Sequence, residues 1–213
     1  MNMNKFVRGC GRASLVLLLF SMTGCGSYNR LVMLEQTVNK KWADVQSVYQ
    51  RRADLIPNLV KTVAGAANFE KSTLTEVTNA RASVGQVKLD PSKAPTDAAE
   101  LEKFQQAQGQ LSTALSRLLL VTENYPQLRA TEAFQNLQAQ LEGTENRISV
   151  ERSNFNAGVQ EYNTALATFP TNMLNKMFGF QARPYFNAQP NAEKAPEVKF
   201  DSFKAPSIPA ATP

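Results

Sequence analysis

The sequence of 213 residues contains no histidine. Histidine is the side chain that most often exchanges protons near neutral pH, and it also activates serine and cysteine nucleophiles. It supplies ligands to zinc sites and to the di-iron sites of helical bundles as well. Its absence therefore excludes these nucleophile systems and the histidine-containing metal sites, and we expect neither a bound metal nor a cofactor.

Cysteine is scarce, and phosphate-binding glycine loops are missing. The only two cysteines, Cys10 and Cys25, both come before the polar part of the chain, so no disulfide framework can cross-link a folded domain. Glycine patterns of the P-loop or dinucleotide type are absent. No run shows the polar and apolar alternation, with regular turn signals, that a β-sheet requires. These absences favour a helical domain without nucleotide chemistry.

Excess charge of one sign is small once the N-terminus is set aside. The chain has 23 lysines and arginines against 18 aspartates and glutamates. Three of the basic residues and none of the acidic ones precede Cys25, so the remaining 20 basic and 18 acidic residues give a net charge of +2. A nucleic-acid-binding protein usually carries a basic stripe or a recognition motif. Neither is present, and we expect no nucleic-acid partner.

The N-terminus has the layout of a secretory signal. Lys5, Arg8 and Arg12 precede an apolar run from Ala13 to Phe20, and small or flexible residues follow it. A transmembrane helix needs about 20 apolar residues, whereas this uncharged stretch is shorter and ends in glycine and serine. We therefore expect residues 1–24 to be a signal peptide.

Cys25 is the residue to which this signal leads. Met22-Thr23-Gly24-Cys25 resembles a bacterial lipobox, in which a signal peptidase cuts before the cysteine and the thiol carries a diacylglycerol. Met22 departs from the usual leucine, and an uncleaved signal anchor with an incidental cysteine is the alternative. We predict a lipidated N-terminus and short tether over residues 25–30, and we expect Cys10 to be discarded with the signal. Gly26, in place of the aspartate associated with inner-membrane retention, favours the outer membrane in a Gram-negative cell.

Helical periodicity dominates the rest of the chain up to about Phe180. A first apolar stripe runs from Leu31 to Leu55, and a second runs from Pro57 to Val84. Proline lacks an amide hydrogen and disfavours helix at the preceding residue, so Pro57 marks either a kink or a tight turn. The sequence leaves both open. Val87–Asp97, with two prolines and no apolar period, is the predicted main loop.

Two further helices follow this loop. Thr96 or Asp97 is the predicted N-cap of the third, with Glu100 favourably placed in its first turn, and "NYP" ends it. The fourth carries a seven-residue repeat that implies left-handed, nearly antiparallel packing, and Pro170 closes it. A short amphipathic turn, "NMLNKMFGF", follows. The repeat column consists of Phe134, Leu141, Ile148, Phe155, Tyr162 and Phe169.

These segments predict an all-α fold, an elongated antiparallel four-helix bundle with long coiled-coil-like helices over residues 31–180. Residues 181–213 contain six of the eleven prolines. We expect this tail to be largely extended or disordered. Its only strand-like piece, "EVKFDSF", either adds along the bundle or stays mobile.

Polar residues crowd two of the helices and form the candidate interaction cluster. One interpretation is a polar pocket or partner surface. The other is that Arg, Asn and Glu near the helix seam fix register and topology at some cost in stability. Catalysis would require carboxylates such as Asp54, Glu76, Glu145 and Glu151 to converge, and we expect no catalytic residue. The predicted cluster comprises Arg52, Asp54, Asn58, Glu145, Arg147, Glu151, Arg152 and Asn156.

Several motifs together resemble the LemA family. They are "YNRLVMLEQTVNKKWADVQSVYQRRADLIPNLVKTVAG", "TNARA", "ENRISVERSNFNAGVQEYN" and "FPTNMLNKMFGF", in this order. The resemblance covers about Tyr28 to Phe186. The resemblance implies an all-helical, four-helix-type bundle held at a bacterial membrane by its N-terminus, with no established catalytic activity. The family's motifs have no assigned role, so no site residue is transferred. A lipobox would be a departure from the family's usual signal anchor.

Two functions remain after these exclusions. The first is a membrane-anchored lipoprotein of the bacterial cell envelope, facing the periplasm or exterior, that acts as a helical scaffold and contacts the membrane through lipid on Cys25 and unidentified proteins through its surface. The second is a ligand- or peptide-sensing module that serves an envelope signalling or protease system. If the polar cluster faces a solvent-filled pocket, sensing is favoured; if it forms satisfied pairs within the helix seam, the scaffold is favoured.

Overall fold

The computed structural model describes the backbone of residues 3–187 apart from 68 and 170, and the side chains of residues 26–187 apart from 68, 170 and 174–177. Within these residues every regular element is a helix, which confirms the predicted all-α bundle. The helices are α1 (Met3–Ala64), α2 (Lys71–Gln86), α3 (Ala98–Thr122), α4 (Pro126–Arg129), α5 (Glu132–Ala167) and α6 (Thr171–Phe178).

Helix α1 continues through Pro57, so the chain does not turn there. Ile56 and Leu59, on either side of the proline, are fully buried, and this packing holds the backbone in the helix that proline alone disfavours. The break lies seven residues later, between Ala64 and Lys71. The second predicted segment was therefore placed wrongly, because its three- and four-residue spacing happens to persist across this turn. Residues 25–30, the predicted tether, are also helical and belong to α1.

The caps and the loop agree with the sequence. Residues 87–97 contain no helix, and Asp97 caps α3 by accepting a hydrogen bond from the amide of Ala99 at 2.8 Å. Five of the six residues in the predicted seven-residue column are buried along α5. The sixth, Phe169, was assigned wrongly. Helix α5 ends at Ala167, and the chain then turns, which leaves the Phe169 side chain 73% exposed.

Helices α1 and α5 form the main antiparallel pair, while α2 and α3 form a hairpin against them. Gly158 of α5 faces α1, and a Cβ built there would come within 2.6 Å of the Lys41 side chain. The apolar core is divided into two parts along this pair. The proximal core, nearer to Cys25, contains Leu31, Val38, Trp42, Val45, Tyr49, Ala94, Leu101, Phe104, Ile148, Phe155, Val159, Tyr162, Ala165, Leu166 and Phe186.

The distal core lies at the other end of the bundle, under α2 and α4. It draws on the last three turns of α1, on the second half of α3 and on the first third of α5, and its large side chains are mostly aliphatic. Its members are Ile56, Leu59, Val63, Phe69, Val77, Leu111, Ala114, Leu115, Leu118, Leu128, Phe134 and Leu141.

A strap, residues 180–187, follows α6 and packs against the proximal core. Gly179 adopts a φ of 75° at the end of α6, a left-handed conformation that glycine adopts without strain. The chain then runs without helix alongside α5, and Arg183 and Phe186 are buried there. The first residues of the predicted tail are therefore part of the fold. Residues 188–213, including "EVKFDSF", lie outside the described residues.

Candidate functional site

A polar layer separates the two cores, and Arg52 is at its centre. Arg52 lies on α1 between Tyr49 of the proximal core and Ile56 of the distal core, and its side chain is only 2% exposed. Its Nη1 donates to Glu145 Oε2 of α5 at 2.8 Å and to Ser112 Oγ of α3 at 2.8 Å. One guanidinium group therefore connects three helices at the same height.

The other terminal nitrogen of Arg52 completes this layer. It donates to the side-chain oxygen of Gln108 on α3, and its guanidinium also lies 5.2 Å from the centre of the Tyr49 ring. Arginine offers donors in a planar fork, which suits several acceptors in fixed directions. Its Nε is buried and has no hydrogen-bond partner among the described residues. The layer thus supplies acceptors to both terminal nitrogens of the Arg52 guanidinium, as a buried cation requires.

Tyr49 shows the electrostatic balance of this layer. Burial raises the pKa of its hydroxyl, and the nearby Glu145 carboxylate acts in the same direction. The positive charges of Arg152 and Arg52 act in the opposite direction, but burial prevails and the pKa stays above its ordinary value. Tyr49 therefore remains neutral at physiological pH and serves as an aromatic wall.

The predicted cluster does not form one site. Asp54 is exposed and accepts a hydrogen bond from Gln50 Nε2 at 2.7 Å, and Asn58 and Arg147 are exposed as well. Glu151 accepts from Asn154 Nδ2 of its own helix at 3.0 Å. An α-helix turns by about 100° per residue, so positions two or five residues from a seam residue point away from the seam. Of the eight, Arg52 and Glu145 meet in the polar layer, and Arg152 reaches its edge at the Tyr49 hydroxyl.

Two other residues of the predicted cluster, Asn156 and Arg152, bind the strap, together with Asn163 of the same helix. Asn156 donates through Nδ2 to the carbonyl of Phe186 at 2.9 Å, and its Oδ1 accepts from the Phe186 amide at 2.9 Å. Asn163, one heptad further along α5, makes the same pair of bonds with the backbone of Arg183, also at 2.9 Å each. Arg152 donates to the carbonyl of Asn187 and lies over the Phe186 ring. The asparagine amides thus replace the backbone partners that a neighbouring strand would supply.

Arg183 fastens the strap to the rest of the molecule. Its Nη2 donates to Glu35 Oε1 of α1 at 2.6 Å, and its Nη1 donates to the carbonyl of Ala94 in the 87–97 loop at 2.6 Å. Tyr162 lies beside this pair, and burial, followed by the Glu35 carboxylate, raises the pKa of its hydroxyl against the opposing charge of Arg183. One buried arginine therefore joins α1, the loop and the strap.

The sequence analysis missed Arg183, Glu35, Gln108 and Ser112. Arg183 follows the last periodic helix and precedes a proline, so no helical pattern marked it as a core residue. A signal was nevertheless present, because Asn156 and Asn163 are seven residues apart on the buried face of α5. Two amides at that spacing, beside the predicted tail, could have indicated a groove for an extended segment.

The 87–97 loop is tied to α1 in a similar way. Trp42 Nε1 donates to the carbonyl of Asp90 at 2.9 Å, and Asn39 Oδ1 accepts from the amide of Ala94 at 3.0 Å. Since Trp42 is fully buried among Phe104, Phe155 and Phe186, its indole connects the loop to the centre of the proximal core.

A cleft of about 370 Å³ opens between α1, α2 and α3, beside the polar layer. Tyr49 and Phe104 form its aromatic walls, and Arg81 is the charged side chain that lines it. Arg81 also donates to the carbonyl of Ala53 at 3.1 Å. The Gln46 Nε2 atom in this cleft is buried and lacks a hydrogen-bond partner among the described residues. The cleft can therefore offer hydrogen-bond donors and an aromatic face to a small molecule.

The carboxylates that a catalytic pair would need are separated. Glu76 pairs with Arg117 at 3.2 Å on the outer surface, Glu145 pairs with Arg52, and Asp54 and Glu151 each have a partner on their own helix. Over the described part of the chain, no three acidic or cysteine side chains come together in a way that could hold a metal ion.

None of the helices in the described residues has the length and apolarity needed to cross a bilayer.

The fold and these contacts define a class of protein, an elongated all-helical bundle whose polar residues join helices, loop and strap. The model of the LemA family matches residues 41–200, and the chain belongs to that family. It is similar to magnetosome protein MamQ of Magnetospirillum gryphiswaldense, with 28% identity over 191 residues that cover 83% of this chain and 70% of the relative.

Protein LemA of Metamycoplasma hominis is a more distant relative. It is 23% identical over 158 residues, which cover 74% of this chain and 68% of that protein. The resemblance inferred from the motifs is thereby confirmed. The names of these relatives specify no reaction.

Proposed function

We propose that this protein is a lipid-anchored helical scaffold or interaction protein of the bacterial cell envelope, without catalytic activity. The observation that supports it best is the polar layer. Arg52 donates hydrogen bonds to Glu145, Ser112 and Gln108 of two other helices, and it is not directed into a solvent-filled pocket. Buried polar groups that are paired inside the bundle in this way fix helix register, so contacts with partners fall to the outer surface.

The proposed anchor lies at one end of the long bundle. Cys25 precedes the first described side chains of α1, and the helix continues from there to Ala64. At 1.5 Å per residue, about 58 Å of helix separates Cys25 from Ala64. A lipid on Cys25 would therefore hold the proximal core near the membrane and present the distal core to partners in the periplasm or outside the cell.

The chemistry of the anchor meets the requirement for stable attachment. A single acyl chain gives marginal membrane binding, whereas two or more make it stable. A diacylglycerol thioether on Cys25, with a further acyl chain on the new amino terminus, would supply this number. Gly26 in place of aspartate favours the outer membrane of a Gram-negative cell.

Metabolic labelling with a fatty-acid analogue tests the anchor. We expect the wild-type chain to be labelled and Cys25→Ser to lose the label and remain uncleaved. Cys10→Ser is the matched control, since it removes the other cysteine and should leave the labelling intact. Unchanged labelling of the Cys25→Ser protein would rule out the lipoprotein.

Photo-crosslinking in intact cells tests the scaffold. Leu120 is a large apolar side chain that is exposed on α3, at the distal end. A photoreactive amino acid at this position should capture the same few proteins reproducibly, while the same group at the buried neighbour Leu118 should not. Equal and unselective capture at both positions would contradict a defined partner surface.

The sensing function is a second candidate because of the cleft beside the polar layer. Its lining includes Arg81 and the unpaired Gln46 amide, and contains no carboxylate, so a ligand with a carboxylate and an apolar part would suit it. Saturable thermal stabilisation by short peptides or carboxylic acids, lost in Arg81→Gln but kept in the exposed control Arg117→Gln, would favour sensing over the scaffold. The absence of any such shift would exclude this ligand class.

A further inference from the structure

Exposed apolar side chains gather at the Cys25 end of the bundle. Phe169 is 73% exposed, Met173 is 65% exposed, and Phe178 and Tyr28 are also exposed. Single exposed apolar residues are normal on protein surfaces. These residues come from the part of α1 just after Cys25, from the turn after α5 and from helix α6, which all meet at the same end.

Ring contacts establish that these segments are adjacent. The ring centres of Tyr28 and Phe178 are 4.9 Å apart, and those of Tyr28 and Phe180 are 5.7 Å apart. Helix α6 packs on both α1 and α5. The end surface, defined here as Tyr28, Phe169, Met173 and Phe178, is therefore built from two distant parts of the chain rather than from one local segment.

Charge at this end is consistent with a bilayer as the occupant. Arg30 is exposed at this end, where Glu35 pairs with Arg183 and Glu161 lines the same pocket as Arg30. Bacterial membranes present anionic headgroups, which attract basic residues and repel carboxylates. Each of these carboxylates has an arginine near it, so the end surface does not present unbalanced negative charge to the headgroups.

We propose that the end surface inserts into the interfacial region of the membrane as a second contact beside the anchor. This inference rests on the proposed attachment at Cys25. Tyr28 is three residues from Cys25, or about 4.5 Å along the helix, and a short amphipathic helix lies about 5–10 Å deep at the boundary of headgroups and acyl chains. Aromatic side chains favour this depth. Two contacts fix the direction of the bundle axis, which a flexible lipid tether alone would leave free.

Fluorescence quenching by brominated lipids tests this placement on the full lipidated chain. Trp42 is the single tryptophan and is fully buried, so it gives a constant background. Phe169→Trp places a reporter on the end surface. Val150→Trp, at an exposed position of α5, is the matched control, and it lies about 26 Å along the helix from the end of α5.

The variants are reconstituted into phosphatidylcholine and phosphatidylglycerol vesicles, with or without bromine on the acyl chains. We expect brominated chains to quench the additional emission of Phe169→Trp, as for a side chain at the acyl boundary, and to leave that of Val150→Trp unchanged. If Phe169→Trp emitted equally in brominated and unbrominated vesicles, as Val150→Trp is expected to do, the end surface would not be a membrane contact.

The same samples distinguish this inference from the anchor. Mass spectrometry reports the acyl groups on Cys25, and flotation reports attachment to vesicles. An acylated, floating protein whose Phe169→Trp reporter is unquenched overturns the end surface and leaves the anchor standing. A protein without acyl groups overturns the anchor, and quenching of the same reporter in that protein would still support the end surface.

Discussion

The proximal and distal halves of the bundle are closed by different means. The distal core is covered by the α2 and α3 hairpin, whose members are neighbours in sequence, and its large side chains are mostly aliphatic. The proximal core is richer in aromatic side chains, and it is closed by the 87–97 loop and by the strap, with one contact that joins Glu35 to Arg183 across 148 positions. The difference indicates that the half nearer to the proposed anchor depends on distant parts of the chain.

Arg52 lies at the border of these two halves. Its partners on α3 and α5 occupy the same height, so a slip of any of the three helices would leave a buried charge without acceptors. The layer therefore keeps the two cores in a common register although their apolar residues do not mix. The following tests take the proximal core, the polar layer, the strap and Tyr162 in turn, from the largest expected effect to the smallest, and Arg52→Met accompanies Glu145→Ala in the polar layer.

Trp42→Ala should have the largest effect. It removes the side chain around which the aromatic rings of the proximal core pack, together with the hydrogen bond to the loop. We expect the free energy of unfolding to fall by about 3–5 kcal/mol, measured by chemical denaturation. Hydrogen exchange should increase more in residues 31–49 than in residues 56–63. Leu118→Ala is the distal control and should reverse this order; equal exchange in both halves would show that they do not respond separately.

Glu145→Ala tests the polar layer. It leaves Arg52 buried with fewer acceptors, but Glu145 is 48% exposed and water can replace part of the contact. We therefore expect a loss of about 1–3 kcal/mol in the free energy of unfolding. Glu142→Ala, an exposed carboxylate on the same helix, should change it by less than about 0.5 kcal/mol.

Arg52→Met sharpens the same test. It removes the buried charge and keeps most of the volume, so we expect a smaller loss than for Glu145→Ala, or none. If Glu145→Ala and its exposed control behaved alike, the layer would not contribute to stability.

Asn163→Ala should release one end of the strap. Two hydrogen bonds to a buried backbone are lost, and we expect the free energy of unfolding to fall by about 1–2 kcal/mol. Exchange of the amides in residues 180–187, followed by mass spectrometry, should rise while the distal core stays protected. Asn154→Ala, whose side chain donates to Glu151 of its own helix, should leave the strap protected; the same rise in both variants would contradict the role given to Asn163.

Tyr162→Phe should have the smallest effect, and only at alkaline pH. The pKa of Tyr162 is raised from its ordinary value of 10.0. The neutral hydroxyl is thus favoured by folding, and the stability it contributes is present below about pH 10 and is lost as the pH rises through the folded-state pKa. We expect unchanged stability near pH 7 and a shallower decline above pH 10 than in the wild type. An identical decline in both proteins would contradict this contribution.

Local sequence pattern was sufficient for the fold class, for the loop, for an N-cap of α3 at Thr96 or Asp97, and for five members of the α5 column, because these depend on residues close in sequence. It could not place the turn at residues 65–70, since the apolar spacing continues across it. Among the eight polar candidates, it could not separate Arg52 and Glu145 from Asp54 and Arg147. The seam side of a helix is defined by partners more than fifty positions away, and Arg183 was missed for the same reason.

The strap also has a consequence for the order in which the protein is made. Residues 180–187 emerge from the ribosome after helices α1 to α6. The α2 and α3 hairpin and its contacts with α1 can form before that point, since contacts between near neighbours close early. The proximal core, although it begins with the first residues of the bundle, cannot be completed until Arg183 and Phe186 have been synthesised. The part of the protein that is synthesised first is thus the part that is completed last.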